Sequence, residues 1–281
     1  MKNTWKNALA TGILGMLCAF PAYAQDAAKP AAQTAPAATP AAAPTPTADQ
    51  VLEHYVQAIG GRAAWLKLNS RVSKGTIEIP AMNNLSGTVE IHEKAPDFML
   101  AVINLGGAVF EQGFDGTTAW SNDPQNGLRV LTGGELEDAK READFYHPLE
   151  LRKIYSKMTV TGIEKVGERD AYVVEAVRGS GEPDKIYFDT QTWLLLRSVN
   201  HRYTPDGVSE FQADVEDYTV VDGVKLPLTV HQSGAGSEFT IRFTEVHHNV
   251  QLADAQFGKP ASEPPEAAPA GPAAPAEAQP Q

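Results

Sequence analysis

The chain has 281 residues and a formal net charge of −12, with 23 Lys and Arg against 35 Asp and Glu. An acidic balance of this size, kept by the central region with 19 basic and 31 acidic residues, lacks the clustered cations that displace counterions, so nucleic acid and an anionic membrane surface are not expected partners. The composition is also uneven: residues 25–48 hold 5 of the 20 prolines among Ala, Thr and Gln, and 259–281 hold 7 more beside Ala and Glu. Such segments bury too little apolar surface to offset the entropy of ordering, so both are expected to be disordered, which leaves 49–258 as one domain.

In chain order, residues 1–24 form an export signal. Lys2 and Lys6 make a basic start, Ala8 to Phe20 is a short apolar run, and Ala22-Tyr23-Ala24 ends it, predicting cleavage after Ala24 and a periplasmic or secreted product. The only cysteine, Cys18, lies inside that run behind Met16 and Leu17 rather than a small residue, so acylation there is not expected. The mature chain then has no thiol, which excludes disulfides, cysteine nucleophiles and thiolate metal sites. No further segment reads as a membrane span.

The domain opens with a helix. Thr47-x-x-Gln50 is a capping box, Val51, Leu52, Tyr55, Val56 and Ile59 form a 3.6-residue stripe, and Gly60-Gly61 stops it. A shorter piece follows around Trp65. After Asn69 the period becomes two, as in Ile77 and Ile79 or Phe239, Ile241 and Phe243, which predicts strands with one wet face. Asp115-Gly116, Asn126-Gly127, Asp206-Gly207 and Asp222-Gly223 suit the positive φ of two-residue hairpins, so neighbouring strands pair antiparallel. About eleven strands are expected. One helical interruption, Leu136 to Tyr155, is restarted by Pro148.

Two runs, 98–103 and 193–196, are apolar at every position. Either these strands are buried on both faces, or one face lines an apolar cavity beneath the helices. In the second reading Phe98, Leu100, Val102, Leu194, Leu196, Phe239 and Ile241 are the candidate lining residues. Trp193 is a core residue or a further part of that wall.

Catalytic patterns are absent: there is no nucleophile elbow, no His-Glu-x-x-His, no phosphate loop and no dinucleotide fingerprint. His247 and His248 are adjacent on a strand and point to opposite faces, so they do not share a metal. Acidic pairs such as Glu175 with Asp189, or Asp214 with Glu216, read as solvated faces. Neither a catalytic residue, nor a metal, nor a cofactor is expected.

The segments Gly113-Phe114-Asp115-Gly116-Thr117-Thr118-Ala119-Trp120, Ile186 to Arg197 and Asp217 to Pro227 resemble the strand–turn segments of LolA-like outer-membrane lipoprotein-sorting proteins, as does the opening from Gln57-Ala58-Ile59-Gly60-Gly61 to Lys74-Gly75-Thr76. The resemblance implies a mainly β fold, a strongly curved antiparallel sheet forming an incomplete half barrel with a helical lid. It also implies a monomeric, non-catalytic carrier of lipid or lipoprotein acyl chains, with envelope proteins as further partners and a wall arginine holding the lid. Arg71, Arg197 and Arg242 are the arginines considered for that role. The competing functions are an exported binding or scaffold module with a filled core, and a hydrolase acting on envelope material.

Overall fold

The computed structural model describes residues 45–179, 182–204 and 207–261. The expected export signal with Cys18, the Pro-rich stretch as far as residue 44, the tail from residue 262 and Asp206 lie outside the described residues.

Helix α1, Ala48–Ala58, starts on the expected capping box: the Gln50 amide donates to Thr47 Oγ1 at 3.2 Å, and the Thr47 amide donates to Gln50 Oε1 at 2.8 Å. It buries Val51, Leu52, Tyr55 and Val56. The chain then turns through Gly60 at φ +110° and Gly61 at φ +80° into α2, Arg62–Trp65. A Cβ on Gly60 would stand 2.4 Å from the carbonyl oxygen of Gly223. Gly60→Ala therefore combines a disfavoured φ with a backbone clash, and should cost at least about 2 kcal/mol in urea denaturation.

Fifteen strands follow among the described residues. The first meander comprises β1 (Ser70–Ile79), β2 (Leu85–Lys94), β3 (Phe98–Leu105), β4 (Ala108–Asp115), β5 (Ala119–Asp123) and β6 (Gly127–Val130). The second comprises β7 (Lys157–Val166), β8 (Arg169–Val177), β9 (Asp184–Asp189), β10 (Leu195–Thr204) and β11 (Gly207–Glu216). A small ribbon of β12 (Thr219–Val221) and β13 (Val224–Leu226) precedes β14 (Thr229–Gly234) and β15 (Ser237–His248). Thirteen strands form one sheet, in the order β6-β5-β4-β3-β2-β1-β15-β14-β11-β10-β9-β8-β7, with every pair antiparallel. The count exceeds the expected eleven because β5, β6, β12 and β13 are five residues or shorter, too short for alternation to register.

The sheet is strongly curved and not closed, with β6 and β7 at its two edges. These edges are consecutive in the chain. The segment joining them carries α3 (Gly133–Ala143), a 3₁₀ turn (His147–Leu149) and α4 (Leu151–Ile154), so it must pass from one rim to the other, and it does so over the concave face. Topology thus makes the lid.

The turn dipeptides divide into two kinds. Asp222-Gly223 is a two-residue hairpin with φ +50° and +85°. Asp115-Gly116 and Asn126-Gly127 instead straddle strand ends at turns held by a carboxylate: the Asp115 carboxylate accepts from the amides of Thr117 and Thr118, and the Asp123 carboxylate from those of Gln125 and Asn126.

Candidate functional site

Strand pairing decides which side chains face inward. In β3, residues 99, 101, 103 and 105 share a face with Val89 and Ile91 of β2 and with Ile77 and Ile79 of β1. Together with Phe110, Phe211, Phe239 and Ile241 they line a concave cavity of about 300 Å³ beneath α3. Ile77, Phe211 and Phe239 are fully buried at its base. Ile91, Ala101, Ile103, Phe110 and Ile241 face inward yet remain only half-buried, so the packing above them is open.

Among the residues expected to line a cavity, Phe239 and Ile241 lie on this wall. Phe98, Leu100 and Val102 are on the opposite face of β3. There Phe98 packs against Phe257 with ring centroids 5.4 Å apart, and the Trp120 indole N–H donates to the Phe257 carbonyl at 2.9 Å. The run is apolar on both faces because one lines the cavity and the other is partly covered by the segment ending at Phe257. Leu194 joins the core around α1. A bulge between Leu195 and Arg197 sends Leu196 outward to a small cluster with Ala171, Val173 and Tyr187. Trp193 is outside the wall as well: it sits in the turn before β10 at φ +60°, stacked between His54 at 4.3 Å and Tyr172 at 5.3 Å.

The lid is tied at several points. Its inward side buries Ala139 and Ala143 against Met99, Phe114, Ala119 and Leu131. Arg129 of β6 forms a two-pronged bond to Glu135 at 2.9 and 3.0 Å, Arg202 of β10 pairs with Glu142, and the Tyr203 amide donates to Asp138 Oδ2 at 2.6 Å. Of the arginines considered from sequence, Arg197 pairs with Asp214, and Arg242 with Glu78 at 3.5 Å on an exposed site. Arg71 is bound by Glu93 at 2.6 and 2.7 Å and lies 5.9 Å from the ring centroid of Phe145, just beyond α3. The ties from Arg129 and Arg202 had a sequence signal, since Glu135, Asp138 and Glu142 recur at helical spacing on one face of α3.

A second cavity of about 420 Å³ lies under the 3₁₀ turn and α4, and it is richer in charged groups. Asp184, 1% exposed, accepts from Arg178 Nε at 2.9 Å, the Tyr155 hydroxyl at 2.9 Å and the His201 amide at 3.0 Å. Burial, the field of Asp184 and that hydrogen bond push the Tyr155 phenol well above its usual range. Asp189 departs from the expected solvated face. It is buried in the turn before β10, where bonds from the Gln191 and Thr192 amides, the Thr192 hydroxyl and Arg169 hold it below the usual carboxylate range despite the opposing push of burial. Among the described residues no group of three or more His, Asp or Glu is placed to hold a metal ion.

Two histidines should make stability pH-dependent. Burial lowers His147, which faces Asp144, Arg141, Glu142 and Arg202, and burial likewise lowers His248, bonded to Asp222 at 3.0 Å. A lowered folded-state value means that the unfolded chain binds protons first as pH falls. The contribution is complete above the ordinary histidine value of about 6.5 and is lost progressively below it. The melting temperature should therefore fall between pH 7 and pH 5, and less steeply in His147→Asn.

The large antiparallel sheet, curved and not closed, with helices across its concave face, resembles LolA-like folds. No family model matches the chain, and no curated protein matches it by sequence. Among solved structures, it is similar to an outer membrane lipoprotein-sorting protein domain from Vibrio parahaemolyticus, with TM-score 0.51 and 12% identity over 75% of this chain and 97% of that one. A LolA superfamily protein from Nitrosomonas europaea aligns at TM-score 0.48 and 14% identity, over 76% of this chain and 99% of that one.

Proposed function

We propose that the chain is an exported, non-catalytic carrier that holds the acyl chains of lipids or lipoproteins in the cavity beneath α3. The observation that carries this reading is the set of inward-facing but half-buried residues Ile91, Ala101, Ile103, Phe110 and Ile241. A packed core would bury them. Apolar side chains left open on a concave wall are the surface that an acyl chain covers, in a volume within the range of small-ligand sites. Each buried methylene contributes about 0.8 kcal/mol, so ten supply about 8 kcal/mol, which sets a micromolar ceiling from which ordering costs subtract; capture is therefore weak for ten methylenes, with ready release. The fold supports the reading as well, because the Vibrio domain that it resembles is described as a lipoprotein-sorting protein.

Titration with a fluorescent fatty acid tests it. Saturable binding that unlabelled fatty acid displaces is the expected result. A folded protein that never takes up the probe is a scaffold with a closed interior, and turnover of an envelope ester abolished by one His or Asp substitution would point to the hydrolase.

A further inference from the structure

We infer that the Glu142–Arg202 ion pair is the end-stop that sets how long an acyl chain the cavity accepts, an inference that rests on the carrier reading above. The two cavities of the concave face have separate linings apart from two shared residues, Glu142 on the lid and Arg202 on β10. These two are paired to each other. The charged pair therefore stands on the boundary between the chambers, beside Asp138 of the first, which pairs with Arg141 and lies 3.9 Å from Arg178 of the second.

The partition is held from several sides. Arg202 Nε donates to Asn200 Oδ1 at 3.1 Å, and its guanidinium lies 5.5 Å from the ring centroid of Phe211, which itself lines the apolar chamber. Both charged side chains remain about one third exposed, at 32% and 34%, so they keep part of their water. A methylene chain advancing past them would strip that water and return no hydrogen bond. Growth of the chain should stop there. Beyond the partition lie the half-buried side chains of Leu151, Ile154 and Leu195, apolar surface that a longer chain could cover if the ion pair were gone.

Removing one partner does not open the way, because the remaining unpaired charge resists desolvation more than the pair does. Replacing both by apolar residues of similar length, Glu142→Leu with Arg202→Met, joins the chambers. The experiment measures the affinity of saturated fatty acids from octanoate to stearate for the full mature protein. For the unmodified protein, affinity should rise by up to about fourfold per added methylene and then level off. In the double variant the plateau should move to longer chains by several carbons, while the shortest acids bind as before. Each single variant should keep the original plateau.

A plateau at the same chain length in the double variant overturns the inference. So does an equal change in affinity at every length, which is what a loosened lid would give. If the apolar double variant does not fold, Glu142→Gln with Arg202→Gln makes a neutral partition and should shift the plateau in the same direction by less; no shift overturns the inference. Failure of the unmodified protein to bind any of the acids removes the carrier reading, and the end-stop with it.

Discussion

Ile103→Glu and Ile241→Glu should each weaken fatty-acid binding by at least tenfold while the protein still folds, and Leu100→Glu should leave binding within about twofold of the unmodified protein. The contrast comes from register alone. Ile103 and Ile241 point into the cavity and are half-buried, whereas Leu100 is on the other face of β3, paired with His92 and Gly113. A carboxylate among methylenes loses its water without a partner, a cost of several kcal/mol unless the group takes up a proton. One kilocalorie and a half already amounts to tenfold in affinity. Melting temperatures measured beside the titration separate lost binding from lost folding. If Leu100→Glu abolished binding and Ile103→Glu did not, the wall would be the opposite face of the sheet.

Asp184→Ala should be the most destabilising single polar substitution, at about 3 kcal/mol in urea denaturation. The carboxylate is 1% exposed and serves Arg178, the Tyr155 hydroxyl and the His201 amide together, so its removal strands a guanidinium and two further donors next to the second cavity. Arg242→Ala supplies the comparison. Its pairing with Glu78 is 3.5 Å long between side chains that are 51% and 43% exposed, and its loss should cost less than about 0.5 kcal/mol. A cost below about 1 kcal/mol for Asp184→Ala would mean that water replaces the carboxylate and that the cavity is wetter than its lining implies.

Local rules made some elements legible and left others hidden. The α1 capping box, its buried stripe and its glycine stop follow from residues within one helix length of each other, and the alternation of Ile77 with Ile79 and of Phe239 with Ile241 shows which face of those strands is apolar. The same test has no purchase on β3, where every residue from Phe98 to Ile103 is apolar. Its inward face is set by pairing with β2 and β4, and by the segment ending at Phe257, more than 150 residues further along the chain. Leu196 is a second such case, because a bulge of one residue reverses the alternation that its neighbours would predict. The lid's ties fall between these cases. The acidic face of α3 is written in Glu135, Asp138 and Glu142, but its cationic partners Arg129 and Arg202 come from strands on opposite sides of the sheet, and only the course of the chain from β6 to β7 brings them together. Asp189 marks the same limit for charge: a carboxylate that looks solvated in sequence is the staple of a buried turn.

Native mass spectrometry of the protein purified from its own envelope fraction without detergent, followed by lipid extraction of the same sample, tests the carrier reading most directly. The expected result is a mature species beginning at Gln25 and carrying an added mass that extraction identifies as one or more acyl chains, with that mass much reduced in Ile103→Glu. A folded, lipid-free protein that also fails to take up fatty acid when it is offered would contradict it.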